Sequence, residues 1–507
     1  MTIGSFDSAR RTPWFAVTVG GISLYLALSF LFLLWGQPNA DEGWYLYAAK
    51  LVLNGKVPYQ DFAYTQMPLL PYIYGIPQAI LFPSLYLGRA TSIFFSVLSL
   101  IIYIWIARRY AGEIAGGIVS MLFAAFVYGI YYSSIIKTYA LISFFFALTF
   151  FTLSSRINGN VKYLLSVVFA ICAAMVRLSA LVFALTVIVY SLAQPRKTIR
   201  VTVCLLCLAV IVGLLFFFLP NPQAARWNLL SYHLSQWGDL SAELKIKHIL
   251  FLRLTDIVQF FGPYLLLLFA VIFLAYRRVA VVVFLRRNSP ILAVAIGLVL
   301  FTGSHLVSGG WEAEYLVPAV SSSFPIVAIM FSRIYDHAKA GRTSNVLLWG
   351  GMIITVLLFP FSHSAEYVDA SSGKPPLEEI RQVAEFVSQH SAPSDRILVL
   401  EALWVAIESD RSVLPGMTMA QFSYQEVDRA VANDLRVVND DILLEYINNR
   451  AAAVIVLTDV DWHVLARSGN AGLLVHALDE QYELALTAQH FGQTAEDVYV
   501  YLPRVGS

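Results

Sequence analysis

Long apolar runs alternate with short clusters of cations up to about residue 361, and the pattern then changes to a mixed polar one. A membrane-spanning helix needs roughly 20 apolar residues. The runs 14–35, 88–107, 113–132, 138–154, 201–219, 257–275, 289–307, 314–332 and 345–361 meet that need. Tyr163 to Ala193 is different. As one helix it would run about 46 Å, against a hydrocarbon core of about 30 Å, and it carries Arg177 at its middle. An isolated cation there is costly.

The cations decide how to read this stretch, because cytoplasmic loops are enriched in Lys and Arg. With Arg10 and Arg11 inside, Arg108/Arg109 and Arg156/Lys162 also fall inside. Splitting 163–193 near Arg177 puts Arg196, Lys197 and Arg200, then Arg277/Arg278 and Arg286/Arg287, then Arg333, Lys339 and Arg342 on that same side. An unbroken span would invert every later cluster. The expectation is therefore about 11 transmembrane helices, a cytoplasmic N-terminus and an extracytoplasmic C-terminal region, in an integral, multi-pass protein of the plasma (inner) membrane. The first run is too long for a cleaved signal peptide and lacks a small-residue cleavage site.

Composition agrees. Only 13% of the 507 residues are charged and 58% are hydrophobic, whereas soluble domains carry about 25% charged residues. The net charge of +1 offers no field for nucleic acid. It hides an asymmetry, since 22 of the 33 acids but only 9 of the 34 Lys/Arg lie from Ser362 onward. Two regions follow: a membrane part, 1–361, and a polar part, 362–507. The three Cys sit in apolar runs at spacings that suit neither a disulfide nor a zinc framework.

In this topology 36–87, 220–256, 308–313 and everything after 361 face outward. The first outer loop, 36–87, carries the most chemistry. It reads Asn39-Ala-Asp41-Glu42-Gly43-Trp44-Tyr45, stops at Asn54-Gly55, and continues through Pro58-Tyr59-Gln60-Asp61-Phe62 to Gln66-Met67-Pro68. Asn39 or Asp41 can cap a short amphipathic helix that Asn54-Gly55 ends. A second segment, 68–83, is interrupted by Pro71 and Pro77. Adjacent carboxylates beside a bilayer repel one another, and a carboxylate in such a place suits a general base. A cap and a first-turn acid favoured by the helix dipole would place the same residues.

The Asp41-Glu42-Gly43 run just after the first span, then Tyr45, then Asn54-Gly55-Lys56-Val57-Pro58-Tyr59-Gln60-Asp61-Phe62, then Pro68-Leu69, resembles the first outer loop of the GT-C glycosyltransferases. The likeness is nearest the family-39 group of protein O-mannosyltransferases and aminoarabinose-lipid A transferases. It implies a GT-C fold, a polyprenyl-phosphate-linked sugar donor, and a first-loop acid, Asp41 or Glu42, that activates an acceptor. Many relatives place another acid at the outer start of the fourth span. Here that segment is Ile136-Lys137-Thr138-Tyr139-Ala140, with no carboxylate.

Such a transfer needs cations for a departing phosphate, and planar Arg suits phosphate oxygens best. Arg177, Lys137 and Arg89 are the candidates. For the substrates, the first loop offers Tyr45, Tyr59, Asp61 and Gln66. The 220–256 loop offers His233 with Trp227, Tyr232 and Trp237. The late run His305 to Pro318 offers His305, Glu314 and Tyr315. No His, Cys or carboxylate cluster has metal-ligand spacing, so a divalent metal is allowed by the chemistry but unsupported.

Beyond Pro360 the alternation of helical and strand patterns predicts a small α/β domain. Helices are expected over 376–390 and 439–450, and strands at Arg396–Glu401, Ala453–Thr458, Tyr482–Ala488 and Val498–Leu502. No Gly-rich phosphate loop follows any strand. Asp459 and Asp461 follow a strand end, where sites occur in open α/β sheets. The competing readings are a transporter or flippase of a lipid-linked or polar solute, and a membrane-anchored binding module.

Overall fold

The computed structural model describes residues 13–157, 159–235, 241–276, 283–285, 287–337, 342–361, 367–369, 373–466, 470–494 and 496–504. Trp237 and the cations Arg10, Arg11, Arg277, Arg278, Arg286 and Lys339 lie outside them. Apolar helices dominate the first part: α1 (Pro13–Trp35), α2 (Ala40–Leu53), α3 (Leu69–Ile80), α4 (Leu85–Ala125), α5 (Val127–Ser134), α6 (Thr138–Ser154), α7 (Gly159–Val176) and α8 (Leu181–Leu192). Five more follow, at Lys197–Phe218, Leu254–Tyr276, Ser289–Leu306, Val317–His337 and Arg342–Leu358.

Among the described residues seven helices are long and apolar enough to cross a membrane, or eight if α5 and α6, bent by 105°, form one span. The chain is thus a multi-pass membrane protein. The eleven expected apolar segments are present but differently divided. α4 is two arms that meet at Ala111 and Gly112, and Gly112 has φ +76°. The chain reverses there, because Tyr103 and Phe123, twenty positions apart, bring their rings to 6.0 Å. Leu178–Leu192 and Val346–Leu358 fall short of a full span.

The break at Arg177 is present. α7 ends at Val176, Arg177 is extended (φ −147°, ψ 130°), and a 3₁₀ turn leads into α8. The rings of Tyr163 and Tyr190 lie 6.1 Å apart, so the two helices run back along each other with Arg177 at their joined end. The 68–83 segment differs from expectation. It is one helix, α3, with Pro71 in its first turn, where a missing N–H costs nothing.

The C-terminal region carries a five-stranded sheet of order β2-β1-β3-β5-β4. β1 (Arg396–Val399), β2 (Ser412–Val413) and β3 (Val454–Thr458) are parallel; β5 (Glu496–Pro503) pairs antiparallel with β3 and with β4 (Tyr482–Phe491). Every residue of β3 is buried. The helices Pro376–Gln389 and Asp440–Asn448 form as expected, the second capped by the Asn439 side chain. Of the pair Asp459 and Asp461, the second turns inward while the first is only half-buried. Asp461 is fully buried and closes a capping box with Thr458, and Asp459 accepts from the Tyr499 hydroxyl at 3.1 Å.

This region packs directly on α2. A Cβ on Gly43 would stand 3.0 Å from both Leu403 Cβ and Trp404 N. The glycine of the Asp-Glu-Gly run is therefore a steric requirement of the approach between α2 and the helix Leu403–Glu408. Lys50 pairs with Asp410 at 2.7 Å, Tyr47 accepts from Val413 N at 2.9 Å, and Thr418 donates to Ala63 O at 3.2 Å.

Candidate functional site

A cavity of about 600 Å³ opens where α2, the α5–α6 bend, the Arg177 break and the 309–315 turn meet the C-terminal domain. It contains nine of the residues singled out from sequence for the reaction: Asp41, Tyr45, Gln66, Lys137, Arg177, Tyr232, His233, Glu314 and Tyr315.

Asp41 stands in the first turn of α2. Asn39 is the N-cap, its side chain accepting from Asp41 N at 3.1 Å. At 100° per residue, Asp41, Trp44 and Tyr45 share one helix face while Glu42 points elsewhere. All three of that face line the cavity. The Trp44 indole donates to Asp41 Oδ1 at 2.9 Å and stacks on Tyr45, with centroids 3.9 Å apart.

Lys137 occupies the bend between α5 and α6. Its ammonium lies 2.9 Å from Asp41 Oδ2 and also pairs with Glu314, which accepts from the Tyr139 hydroxyl at 2.9 Å. One cation thus bridges two carboxylates from distant parts of the chain. Arg177 sits with its guanidinium 4.0 Å from the Tyr315 ring centroid and 5.8 Å from that of Tyr139. Among the described residues no carboxylate comes within 4.0 Å of it. This cation is held on aromatic faces, half-buried at the edge of the cavity, and also hydrogen-bonds the Tyr139 side chain. His233 contributes Nε2 at 2.9 Å from Thr65 O, and burial pushes its pKa down, which keeps the ring neutral.

Five expected site residues lie elsewhere, and the reasons are physical. Glu42 and Arg89 are wholly buried and grip each other: Arg89 Nε to Oε1 at 2.8 Å and Nη2 to Oε2 at 2.7 Å. Arg89 also donates to Phe32 O, Gly36 O and Gln37 O, and Glu42 accepts from Ile136 N at 3.2 Å. Neither lines the cavity. Tyr59 is buried, with its hydroxyl on Gln66 O at 2.6 Å. Asp61 caps its own turn through Val57 N at 2.8 Å and borders a separate cavity of about 220 Å³ with Arg436. His305 is buried behind Tyr315, ring centroids 5.5 Å apart, with Nδ1 at 3.0 Å from Phe301 O.

Several cavity residues were not anticipated. Glu312 opens to the cavity. Partial burial, then the neighbouring Glu314 charge, pushes its carboxyl up to about 7, against the opposing pull of Lys137. Trp311 lies beside it, its indole on Asp256 Oδ2 at 2.7 Å. Gln421, Phe422 and Gln493 come from the C-terminal domain. A sequence signal existed for the loop, since Trp311-Glu312 adjoins Glu314, but none for Gln493. Among the described residues no group of three His, Cys, Asp or Glu could hold a metal ion.

No protein-family model matches this chain, and no curated protein matches it. Solved structures do. The chain is similar to ArnT from Cupriavidus metallidurans bound to undecaprenyl phosphate, with a TM-score of 0.60 and 10% identity over 97% of this chain and 98% of that one. It is similar to the apo state of the same protein, with a TM-score of 0.59 and 12% identity over the same shares. At that identity the likeness is one of fold, and it runs the length of both chains. The chain has the GT-C fold.

Proposed function

We propose that this protein is a glycosyltransferase that moves a sugar from a polyprenyl-phosphate donor to an extracytoplasmic acceptor, a lipid, glycan or protein. The observation that carries the reading is the cavity's charge arrangement: Asp41 and Glu314 bridged by Lys137, with Arg177 beside them and without a carboxylate partner. A carboxylate facing, across a cavity, a cation that no described carboxylate neutralises suits an anionic leaving group and a nucleophile that must lose a proton. The shared fold of a structure that holds undecaprenyl phosphate supports a lipid phosphate as that anion.

In this reading the membrane part, 1–361, carries the chemistry and 362–507 covers it from outside, with the N-terminus in the cytoplasm. Asp41 takes the proton of an acceptor hydroxyl or amine. The bond from that atom to the sugar's anomeric carbon forms as the bond to phosphate breaks, and the electron pair leaves on the polyprenyl phosphate. Arg177 and Lys137 stabilise the departing charge where it develops. Glu314 orients Lys137, and the Trp44–Tyr45 stack and Tyr315 give flat apolar faces against which a sugar ring rests.

The test is transfer of labelled sugar from a polyprenyl-phosphate sugar by the purified chain. Asp41→Asn keeps size and the Trp44 hydrogen bond but removes basicity. Loss of a general base costs about 10²–10⁴ in rate. Near-normal turnover by an Asp41→Asn protein of unchanged melting temperature would overturn this mechanism.

A further inference from the structure

The first turn of α2 is completed by a residue from the far end of the chain. A helix leaves its first N–H groups without intrahelical partners. In α2, Asp41 N is satisfied by Asn39 Oδ1 at 3.1 Å and Glu42 N by Asn39 O at 2.9 Å. Ala40 N, directly before Asp41, instead donates to Gln493 Oε1 at 2.9 Å, across 453 positions of sequence. Gln493 is doubly fastened, because its own carbonyl accepts from the Gln37 side-chain amide.

The turn between β4 and β5 that carries Gln493 is itself seated with little freedom. Gly492 has φ +73°, and a Cβ there would meet the Trp404 ring at 3.1 Å. The Trp404 indole in turn donates to Asn39 O at 3.0 Å. Residues 37, 39 and 40 are thus held from outside by Gln493 and Trp404, on the two sides of the cap that orients Asp41. The contact of Thr418 with Ala63 O, at 3.2 Å, joins the two regions 22 positions farther along the first loop than Asp41.

We propose that Gln493 is a positioning residue: it caps the catalytic turn in trans and thereby sets the Asp41 carboxylate toward the cavity. The inference rests on the transferase reading. It makes the C-terminal domain a working part of the site rather than a separable cover. A shift of about 1 Å in a reacting group costs up to about a hundredfold in rate, so one hydrogen bond that fixes the turn can matter far more for turnover than for stability.

The experiment uses the full-length chain. Gln493→Met keeps length but has no acceptor for Ala40 N; Gln493→Glu keeps an Oε acceptor; Thr418→Val removes a contact between the regions away from Asp41. The expected result for Gln493→Met is about a tenfold fall in kcat with the donor KM unchanged, partial rescue in Gln493→Glu, and wild-type kcat in Thr418→Val. Amide hydrogen exchange at residues 40–42 should quicken in Gln493→Met alone, with protection in the sheet unchanged. Wild-type kcat in Gln493→Met, or an equal loss in Thr418→Val, overturns the positioning role. If Gln493→Met fails to fold, Gln493→Asn, one carbon too short, replaces it under the same criteria. The exchange readout needs no turnover. Absence of transfer by the wild-type chain therefore counts against the transferase reading, while unchanged exchange at 40–42 counts against the trans cap.

Discussion

The two flanks of the first turn of α2 hold nearly the same side-chain chemistry. On one flank Glu42 and Arg89 are fully buried and every hydrogen-bonding edge of the guanidinium is matched, by the carboxylate and by three carbonyls. On the other flank Asp41, Lys137, Glu314 and Arg177 face a cavity, with one ammonium shared between two carboxylates and one guanidinium that has none among the described residues. Charge saturated with partners builds a fold. In the transferase reading, charge left incomplete in front of a cavity is where the donor phosphate binds. Adjacent positions in a helix are separated by 100°, which is enough to send neighbouring acids to the two different tasks.

The contrast can be broken most severely at Arg89. Arg89→Ala leaves Glu42 as an unpaired buried charge, at a cost of about 3–5 kcal/mol. The expected outcome is loss of folded protein, or a large fall in melting temperature in detergent. An Arg89→Ala chain that folds normally and fails only in donor binding would move Arg89 to the other side of the comparison. The matching change on the open flank, Arg177→Ala, should leave melting temperature nearly unchanged. It should weaken donor use roughly ten- to a hundredfold, the worth of a lost charge-assisted contact of about 1.5–3 kcal/mol. Lys at 177 should rescue only in part, since it cannot grip two oxygens in a plane. Equal donor kinetics in Arg177→Ala would show that its place on Tyr315 is only packing.

The smallest effect sharpens the comparison rather than breaking it. Glu312 has its carboxyl raised to about 7 by burial and by Glu314. Its folded pKa lies above the unfolded value of 4.5, so the native state holds the proton more tightly than the unfolded chain does. Stability therefore falls as pH rises from the unfolded pKa through the folded one. Glu312→Gln should match the wild type at pH 4 and melt slightly higher at pH 8. A gap that grows toward acid instead would place Glu312 among the saturated charges.

Much of the architecture was legible in sequence. The apolar runs and the cation pattern located the helices and the break at Arg177, because burial in lipid imposes a length and a lone cation demands an exit. The strands were legible from their apolar runs, except β2, whose two residues carry no periodicity. In the site, the Asp41–Tyr45 run and the late Glu314-Tyr315 loop were legible because they join chemistry-bearing residues in short segments. The pairing of Glu42 with Arg89, 47 positions away, was not, although a lone Arg in an apolar helix calls for a buried partner. The roles of Gly43 and Gln493 were invisible, since each depends on a surface that exists only once the C-terminal domain has docked.

That late docking has a consequence for how the protein comes into being. The group that satisfies the Ala40 amide follows the helix bearing Asp41 by 453 positions, and so is made after it. Contacts of such high sequence separation form slowly, after local structure is in place, and domains tend to fold as units during synthesis. The bundle can therefore enter the membrane and assemble while the turn that carries Asp41 is still frayed. The turn between β4 and β5 finishes it, so in the transferase reading the growing polypeptide transfers no sugar until the C-terminal domain has docked.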